Sequence, residues 1–365
     1  MATRPVNQYE PDEVSHPGET LRELLDERHI HQSTLAARTG RPEKTISEII
    51  NGKAAITAET ALQLEFALGM PAPFWLARQR NYDEWLARQE QAAQMEAHKG
   101  WVRQFPTKDM KRWGLLPEQA EGLGLLRSLL SFFNIASPAQ WEPVYTTLRV
   151  SFRHTPRYRS DPAALAAWLH AGVRRAEAIE CAPYDQQRFR EVLRQARALT
   201  TETPERFCPV LNALCAQAGV ALVLVPEMKG VRVSGASRWL GPSKALIQLS
   251  LRYKSSDQLW FTFFHEAFHV LSQQRKAVFL DDPGRGPDAA DEDARANKWA
   301  ADFLIPPAAF AQLRMQAPFS DVKIREAAAQ LGISPGIVAG RLHHERLLRF
   351  DRGQHLKDRY QWNTP

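Results

Sequence analysis

Apolar residues between positions 16 and 90 recur at helical spacing in short stretches separated by tight polar breaks, which predicts a bundle of short helices. The next stretch, to about residue 205, is also mostly helical and includes "DPAALAAWLHAGVRRAEAIE" and "YDQQRFREVLRQARALT". Two short apolar runs follow, "GVALVLVPEM" and "KALIQLSLR", and their Gly, Pro and Lys boundaries predict two strands. Helices return after Pro306 and Pro307. The pattern predicts a mainly α protein with an α+β C-terminal part that contains a small sheet.

The stretch "HQSTLAARTGRPEKTISEIINGK" has the spacing of a helix-turn-helix. A first helix from Gln32 to Arg38 is followed by Gly40, which supplies the sharp turn, and Pro42 opens a second helix. The isoleucines of this second helix face inward, so its first polar residues lie where a recognition helix meets base edges. The candidate DNA contacts are Gln32, Arg41, Glu43, Lys44, Thr45, Ser47, Glu48 and Lys53. A purely structural helical hairpin is the alternative.

The stretch "FFHEAFHVLS" places two histidines four residues apart. Positions i and i+4 lie about 40° apart around a helix, so His265 and His269 project from one face and can share a metal. Glu266 lies on the neighbouring face, from which it can act as a general base on water at the metal. Two imidazoles and a carboxylate favour zinc. The alternative is a pair of ordinary histidines in a domain that binds a partner without hydrolysis. A buried apolar stripe is expected on the opposite side of the helix, formed by Phe261, Phe264, Phe268 and Leu271.

A third metal ligand is expected from "DEDARANKWAADFLIP", which has the apolar spacing of a second amphipathic helix. Asp293 and Asn297 are four residues apart and share one face of that helix. A carboxylate at Asp293 can therefore bind the metal while the amide of Asn297 orients a ligand from behind.

Residues 16 to 83 resemble the addiction-module antidote branch of the Xre-type helix-turn-helix family, through "HPGE", "ISEIINGK" and "ITAETALQLEFALG". This resemblance implies a five-helix DNA-binding domain that acts as a homodimer on a near-palindromic operator in double-stranded DNA. It also raises a toxin as a possible partner. Glu43 and Glu48 are acidic where a simple DNA reader would be basic, and they can accept from cytosine amino groups or disfavour nonspecific binding.

Residues 165 to 350 resemble the ImmA/IrrE family of metallopeptidases, through "GVRVSGASRWL", "KALIQLSLRY", "DQLWFTFFHEAFHVL" and "ARANKWAADFLIPP". The resemblance implies a zincin-like domain that holds zinc and cleaves a repressor or antitoxin-like protein after a stress or foreign-DNA signal. The family pattern has a Glu three residues before its Ala-Asn pair, a position that Asp293 occupies here. Because Asp is one methylene shorter than Glu, Glu292 is the alternative third ligand. The expected domains are a helix-turn-helix domain at 16–90, a helical connector at 91–164 and the peptidase domain at 165–350.

The composition adds little to these motifs. A net charge of +6 and a pI near 9.3 in a chain of 365 residues suit a nucleic-acid partner, as they suit many other proteins. No signal peptide and no membrane span are visible, so a cytoplasmic protein is expected. Its three cysteines form no CxxC pair, which gives no indication of a disulfide framework or a cysteine zinc site.

The arginines around "LRVSFRHTPRYRSD" form a basic patch that can touch DNA or protein, although such a run is more often a solvated face. The functional alternative to a peptidase is an antitoxin or transcription factor whose metallopeptidase-like domain is a sensor or partner-binding module.

Overall fold

A computed structural model describes residues 13–142, 160–272 and 288–362, without the side chains of residues 288–290. Residues 1–98 and 99–365 form two compact units. Among the described helices, none combines the length and the apolar character that a membrane crossing requires. The domain boundaries expected from the sequence, at 16–90, 91–164 and 165–350, remain predictions.

The first unit contains five helices in its described part, as the sequence predicts. They are α1 (Pro17–Glu27), α2 (Gln32–Thr39), α3 (Glu43–Ile50), α4 (Ala58–Leu68) and α5 (Ala72–Ala97). Local signals set their ends: the His16 side chain accepts a hydrogen bond from the Gly18 N–H at 2.9 Å before α1, and Thr57 caps α4. Gly40 follows α2 with φ of 66°, a left-handed conformation that costs glycine little.

The inward faces of these five helices share one core. Leu21, Leu35, Ile46 and Leu64, one from each of α1 to α4, are fully buried together with Trp75 of α5. A helix-turn-helix needs such a base because its two reading helices are too short to be stable alone. The core therefore holds α2 and α3 in a fixed relation to each other.

The second unit contains ten further helices and three strands in its described ranges. The helices are α6 (Thr107–Arg112), α7 (Gly122–Phe133), α8 (Pro162–Glu177), α9 (Gln186–Ala198), α10 (Pro204–Gln217), α11 (Ser256–Ser272), α12 (Asp288–Leu304), α13 (Pro307–Arg314), α14 (Asp321–Leu331) and α15 (Pro335–His344). Short 3-10 turns occupy Lys99–Gln104, Pro138–Gln140, Leu199–Thr201 and Gln354–Leu356.

The sheet has one strand more than the sequence pattern predicts. Its strands are β1 (Val220–Leu224), β2 (Gly235–Gly241) and β3 (Lys244–Leu249), in the order β1-β3-β2. β1 runs parallel to β3, with Val220 opposite Ala245, and β2 runs antiparallel to β3, with Gly235 opposite Leu249. The expectation of two strands was wrong because β2, "GASRWLG", has too few apolar residues to stand out as a strand.

Helices cover both faces of this sheet, so two cores meet at it. Val220 and Leu222 point into the core that contains α11, whereas Ala221 and Val223 point into the core that contains α8. Burial on both faces explains why β1 and β3 read as continuous apolar runs. Residues of the expected connector, such as Phe105 and Phe132, belong to the core around α8.

The helix α11, which carries the histidine pair, is held by an ion pair at its first turn and by packing on α15. Its first turn carries Asp257, which forms a buried ion pair of 2.7 Å with Lys357 near the end of the chain. The segment "IREAAAQLGISPGIVAGRLHHERLL", whose rhythm is that of a second helix-turn-helix, forms α14 and α15. Val338 and Leu342 of α15 are fully buried in the same core as α11.

Candidate functional site

The predicted DNA contacts lie at the start of α2, in the turn before α3, along α3 and just after its end. Glu43, Lys44 and Lys53 are exposed, and the remaining candidates are partly buried. Asn51, which is not among the predicted DNA contacts, donates from its side-chain amide to the Ser47 carbonyl at 2.8 Å and to the Ser47 hydroxyl at 3.3 Å. Asn51 therefore fixes the end of α3 beside one of the candidate contacts.

Arg41 has partners inside the first unit. Its guanidinium lies 3.2 Å from the carboxylate of Glu59, and its Nε donates to the side-chain oxygen of Gln63. Both partners belong to α4, so these contacts tie the start of α3 to the core. A DNA contact by Arg41 remains a prediction, and such a contact would have to coexist with this internal pairing.

The basic balance of the whole chain comes from the second unit. Residues 1–98 contain ten Lys and Arg against fifteen Asp and Glu, a formal charge of −5, whereas residues 99–365 contain 37 against 26, a formal charge of +11. Bulk charge therefore gives the helix-turn-helix unit no general attraction to phosphate. Its DNA contacts depend on individually placed side chains. The predicted basic patch of Arg149, Arg153, Arg157 and Arg159 lies outside the described residues.

The helix α11 is buried around most of its circumference. Its fully buried apolar residues are Trp260, Phe263, Phe264, Ala267 and Val270, and Phe261, Phe268 and Leu271 are only partly buried. Of the predicted stripe, Phe264 is fully buried, and Phe261 and Leu271 are partly buried against the core. The expected burial was wrong for Phe268, which lies on the side of α11 that faces a groove between α9 and α12. The sheet, α12 and α15 all pack on α11, so the buried side of the helix is wider than one stripe.

Three donor atoms of the predicted metal site lie close together. The Nε2 atoms of His265 and His269 are 3.2 Å apart, and Asp293 Oδ1 lies 3.8 Å from the first and 3.5 Å from the second. These residues form a group that could hold a metal ion. α11 supplies the two histidines one turn apart, and the adjacent helix α12 supplies the carboxylate.

Two further side chains orient the histidines from behind. The Nδ1 atom of His265 lies 3.0 Å from Asn297 Oδ1, and because an amide oxygen only accepts, this contact leaves the Nε2 lone pair facing Asp293. Glu292 lies behind the other ring, with Oε1 3.7 Å from His269 Nδ1 and 3.5 Å from the Ser272 hydroxyl. Asp293 thus faces the Nε2 side of the pair, and Glu292 faces the opposite nitrogen of His269.

The donor set fits a zinc ion. Ligands about 2.0–2.1 Å from a tetrahedral zinc lie roughly 3.3–3.4 Å apart, and the three donor separations here fall between 3.2 and 3.8 Å. Burial, followed by the neighbouring His269, lowers the pKa of His265 to about 4. The imidazole is therefore neutral near pH 7, which is the form that binds a metal.

Glu266 points from α11 toward β2. Its Oε2 accepts a hydrogen bond of 2.7 Å from the Ser237 hydroxyl, and both side chains are buried. Burial raises the pKa of Glu266 to about 8, against the opposing effect of the Ser237 hydrogen bond. Gly235 allows this approach, since a Cβ at that position would lie 2.9 Å from Glu266 Cγ. Ser237 was not among the predicted site residues because only the sheet brings β2 to α11.

Comparisons with known proteins match two separate parts of the chain. A family model for a helix-turn-helix matches residues 21–75, and a model for an IrrE N-terminal-like domain matches residues 215–343. A search of curated proteins found no match.

Solved structures of antidote proteins resemble the first part of the chain. A plasmid-maintenance antidote protein from Nostoc punctiforme PCC 73102 is 36% identical, with a TM-score of 0.22, and the match covers 23% of this chain and 91% of that one. A HigA-family addiction module antidote from Coxiella burnetii is 34% identical, with a TM-score of 0.22, covering 23% and 92%. The antitoxin GraA is 29% identical, with a TM-score of 0.22, covering 23% and 91%.

The helix-turn-helix model spans α2 and α3, and the IrrE-like model spans His265, His269 and Asp293. The chain belongs to the Xre-like helix-turn-helix proteins and is a DNA-binding regulator that carries an IrrE-like domain of a peptidase family.

Proposed function

We propose that the protein is a transcriptional regulator that binds a specific operator through α2 and α3 and cleaves a partner protein with a zinc-dependent peptidase domain. The arrangement of His265, His269 and Asp293 carries this proposal, because their donor atoms lie 3.2–3.8 Å apart, close to the spacing of zinc ligands, and Glu266 is adjacent to His265 on the same helix. A buried carboxylate next to a metal-binding triad is what peptide hydrolysis requires of a general base.

In this proposal His265, His269 and Asp293 hold the zinc ion, and Asn297 orients His265 from behind. When bound, zinc would polarise the scissile carbonyl and activate water for attack. Glu292 is the alternative third ligand. Its distance of 3.7 Å from His269 Nδ1 favours instead a role in orienting that ring.

Glu266 is the proton carrier of the proposed reaction. A bound cation would favour the ionised form of this carboxyl, against the effect of burial. The carboxylate would then take a proton from the attacking water and deliver it to the amine nitrogen as the peptide bond breaks. The Ser237 hydroxyl holds one carboxylate oxygen at 2.7 Å. The other oxygen is then the one that can move protons.

The proposed protein partner is a repressor or an antitoxin-like protein, cleaved after a stress or foreign-DNA signal, and a toxin is a possible second partner. Operator binding would take place in the cytoplasm, as a homodimer on near-palindromic double-stranded DNA. Support comes from the helix-turn-helix match and from the similarity to antidote proteins.

One observation favours a second candidate function. His265, Glu266 and His269 are 5%, 2% and 2% exposed, so a polypeptide has little access to them in this conformation. A regulator whose metallopeptidase-like domain is a non-catalytic sensor or partner-binding module would have such a closed site. The two candidate functions differ in whether the protein cleaves a partner and therefore in whether Glu266 is needed for function.

The test compares newly formed protein N-termini in cells that express the wild type, Glu266→Gln or Glu326→Gln. Glu326 is exposed on α14 and provides the matched carboxylate-to-amide control. The peptidase proposal expects a small set of new termini with the wild type and with Glu326→Gln, and none with Glu266→Gln, while operator binding stays unchanged in all three. Identical termini in all three strains would favour the non-catalytic regulator.

A further inference from the structure

A groove lies on the outer side of the helix pair that carries the metal-site candidates. It is bounded by α9, α11 and α12 and encloses about 280 Å³. Its floor is aromatic: the Phe268 and Trp299 rings are 5.8 Å apart, and Trp299 stacks on Phe303 with ring centroids 4.8 Å apart. Leu193 and Leu271 add apolar surface at the sides. These rings are only partly buried, so apolar surface remains open to a ligand.

Three arginines surround this aromatic floor. Arg190 and Arg194 project from α9 one turn apart, and Arg295 projects from α12 with its guanidinium 6.0 Å from the Phe268 ring. All three are exposed. Among the described residues, no carboxylate lies within ion-pair distance of them.

Arg197, a neighbouring arginine on α9, has a structural role that Arg190 and Arg194 do not share. One turn beyond Arg194, the guanidinium of Arg197 donates to the carbonyls of Phe303, Leu304 and Leu331 and so satisfies the ends of α12 and α14. Arg190 and Arg194 make no such contact. Two like charges one turn apart on a helix repel each other, so the fold gains nothing from this pair, and an anion from outside would relieve the repulsion.

The groove is adjacent to the proposed metal site. Phe268 directly precedes His269, and Ser272 at the end of α11 lies 3.5 Å from Glu292 Oε1. Glu292 in turn lies 3.7 Å from His269 Nδ1. A polypeptide seated in the groove would therefore contact the same two helices that hold the metal-site candidates.

We infer that this arginine groove binds an acidic peptide segment with a bulky apolar anchor, and that the segment belongs to the protein partner of the peptidase domain. The three guanidinium groups complement carboxylates, and the aromatic floor accepts an apolar side chain. The groove adjoins the two helices that carry the proposed peptidase site, whose substrate is a polypeptide, and this position favours a peptide over a nucleic acid. Assigning the segment to a substrate rests on the proposed peptidase function, whereas peptide binding by the groove can be measured without it.

Fluorescence anisotropy tests the inference with the full-length protein and a labelled peptide, Gly-Asp-Asp-Phe-Leu-Asp-Asp-Gly. Arg190→Glu combined with Arg194→Glu should weaken binding about tenfold or more, because two attractive charges become repulsive. The matched control combines Arg188→Glu with Arg206→Glu, whose present partners are Gln217 and Glu202. This control makes the same charge change outside the groove and should stay within about twofold of the wild type.

Two altered peptides separate the contributions of charge and anchor. Replacing every Asp by Asn should abolish the preference for wild-type protein over the Arg190 and Arg194 variant. Replacing Phe and Leu by Ala should weaken binding to the wild type about tenfold or more, because the aromatic floor loses its apolar partner, while the preference for the wild type remains. Absence of wild-type binding, equal losses in the two double variants, or displacement of the peptide by a single-stranded oligonucleotide would each overturn the inference.

Peptide binding and peptidase function can fail separately. Binding measured on metal-free Glu266→Gln protein reports on the groove without any hydrolysis. If the peptide binds there while the wild type generates no new N-termini in cells, the groove stands and the peptidase proposal fails. If new termini form but no peptide binds, the peptidase stands and the groove assignment fails.

Discussion

Glu43, Lys44 and Lys53 are exposed on a unit with a formal charge of −5, whereas His265, Glu266 and His269 are buried in a unit with a formal charge of +11. The DNA-reading surface and the metal site therefore place different requirements on the fold. A DNA-reading surface needs a rigid base and free side chains, and a metal site needs its side chains removed from water and fixed by neighbours. Substitutions should consequently act on binding in the first unit and on stability or metal content in the second.

The largest difference between the regions is expected for two lysines in ion pairs. Lys357 pairs with Asp257 at 2.7 Å with both side chains buried, 8% and 4% exposed, whereas Lys44 pairs with Glu48 at 3.8 Å with Lys44 85% exposed. Lys357→Met should cost about 3–5 kcal/mol in the free energy of unfolding, because it leaves a buried carboxylate unpaired. Lys44→Met is the control and should cost about 0.5 kcal/mol or less. Similar unfolding temperatures by calorimetry for the two variants would contradict this contrast.

A smaller effect is expected from the hydrogen bond that holds Glu266. Ser237→Ala removes the donor at 2.7 Å and should destabilise the second unit by about 1–3 kcal/mol, the usual cost of an unpaired buried polar group. Ser33→Ala, at an exposed position of α2, should change stability by only a few tenths of a kcal/mol. Equal stability of the two variants would show that Ser237 does not restrain Glu266.

The turn of the first unit can be tested through its glycine. Gly40→Ala should cost about 1 kcal/mol, because φ of 66° places a Cβ in a strained conformation although nothing lies within 4 Å. Gly124→Ala should have the opposite sign and stabilise by about 0.5–1 kcal/mol, since Gly124 lies inside α7 with open space around it. Urea unfolding measures both changes, and a neutral Gly40→Ala would contradict the strained turn.

The smallest effect concerns DNA affinity alone. Lys53 is an exposed cation just beyond the end of α3, where we expect it to contact a phosphate. Lys53→Ala should therefore weaken binding about equally for all DNA sequences and reduce the slope of log affinity against log salt by about 1. Thr45→Ala should instead relax the preference at particular base pairs. Titration of operator and unrelated DNA at several salt concentrations separates the two patterns. A sequence-dependent loss for Lys53→Ala would contradict the phosphate assignment.

The local parts of this account could be predicted from the sequence. Gly40, Pro42 and the inward isoleucines predict the turn and α3 because helix ends and apolar periodicity are short-range properties. The histidine pair is equally local, since two residues four apart share a helix face wherever the helix packs.

The parts that the sequence did not predict all depend on contacts between distant elements. The strand β2 has a weak pattern of its own and is defined by its pairing with β3. Ser237 reaches Glu266 only through that pairing. The predicted stripe on α11 failed for Phe268, which lines the arginine groove, because three helices converge there. The geometry that separates Asp293 from Glu292 likewise depends on how α12 meets α11.

The metal site formed by His265, His269 and Asp293 is tested first by the zinc content of the purified full-length protein, prepared without chelator and measured by plasma mass spectrometry. We expect about one zinc ion per chain in the wild type and nearly complete loss in His265→Ala and Asp293→Ala. Glu292→Ala should keep the zinc with weakened affinity, since loss of an orienting partner typically costs about 10–100-fold in metal affinity. Complete loss in Glu292→Ala with retention in Asp293→Ala would make Glu292 the third ligand. A wild-type protein that binds no metal even when zinc is supplied would contradict the claim of a metal site.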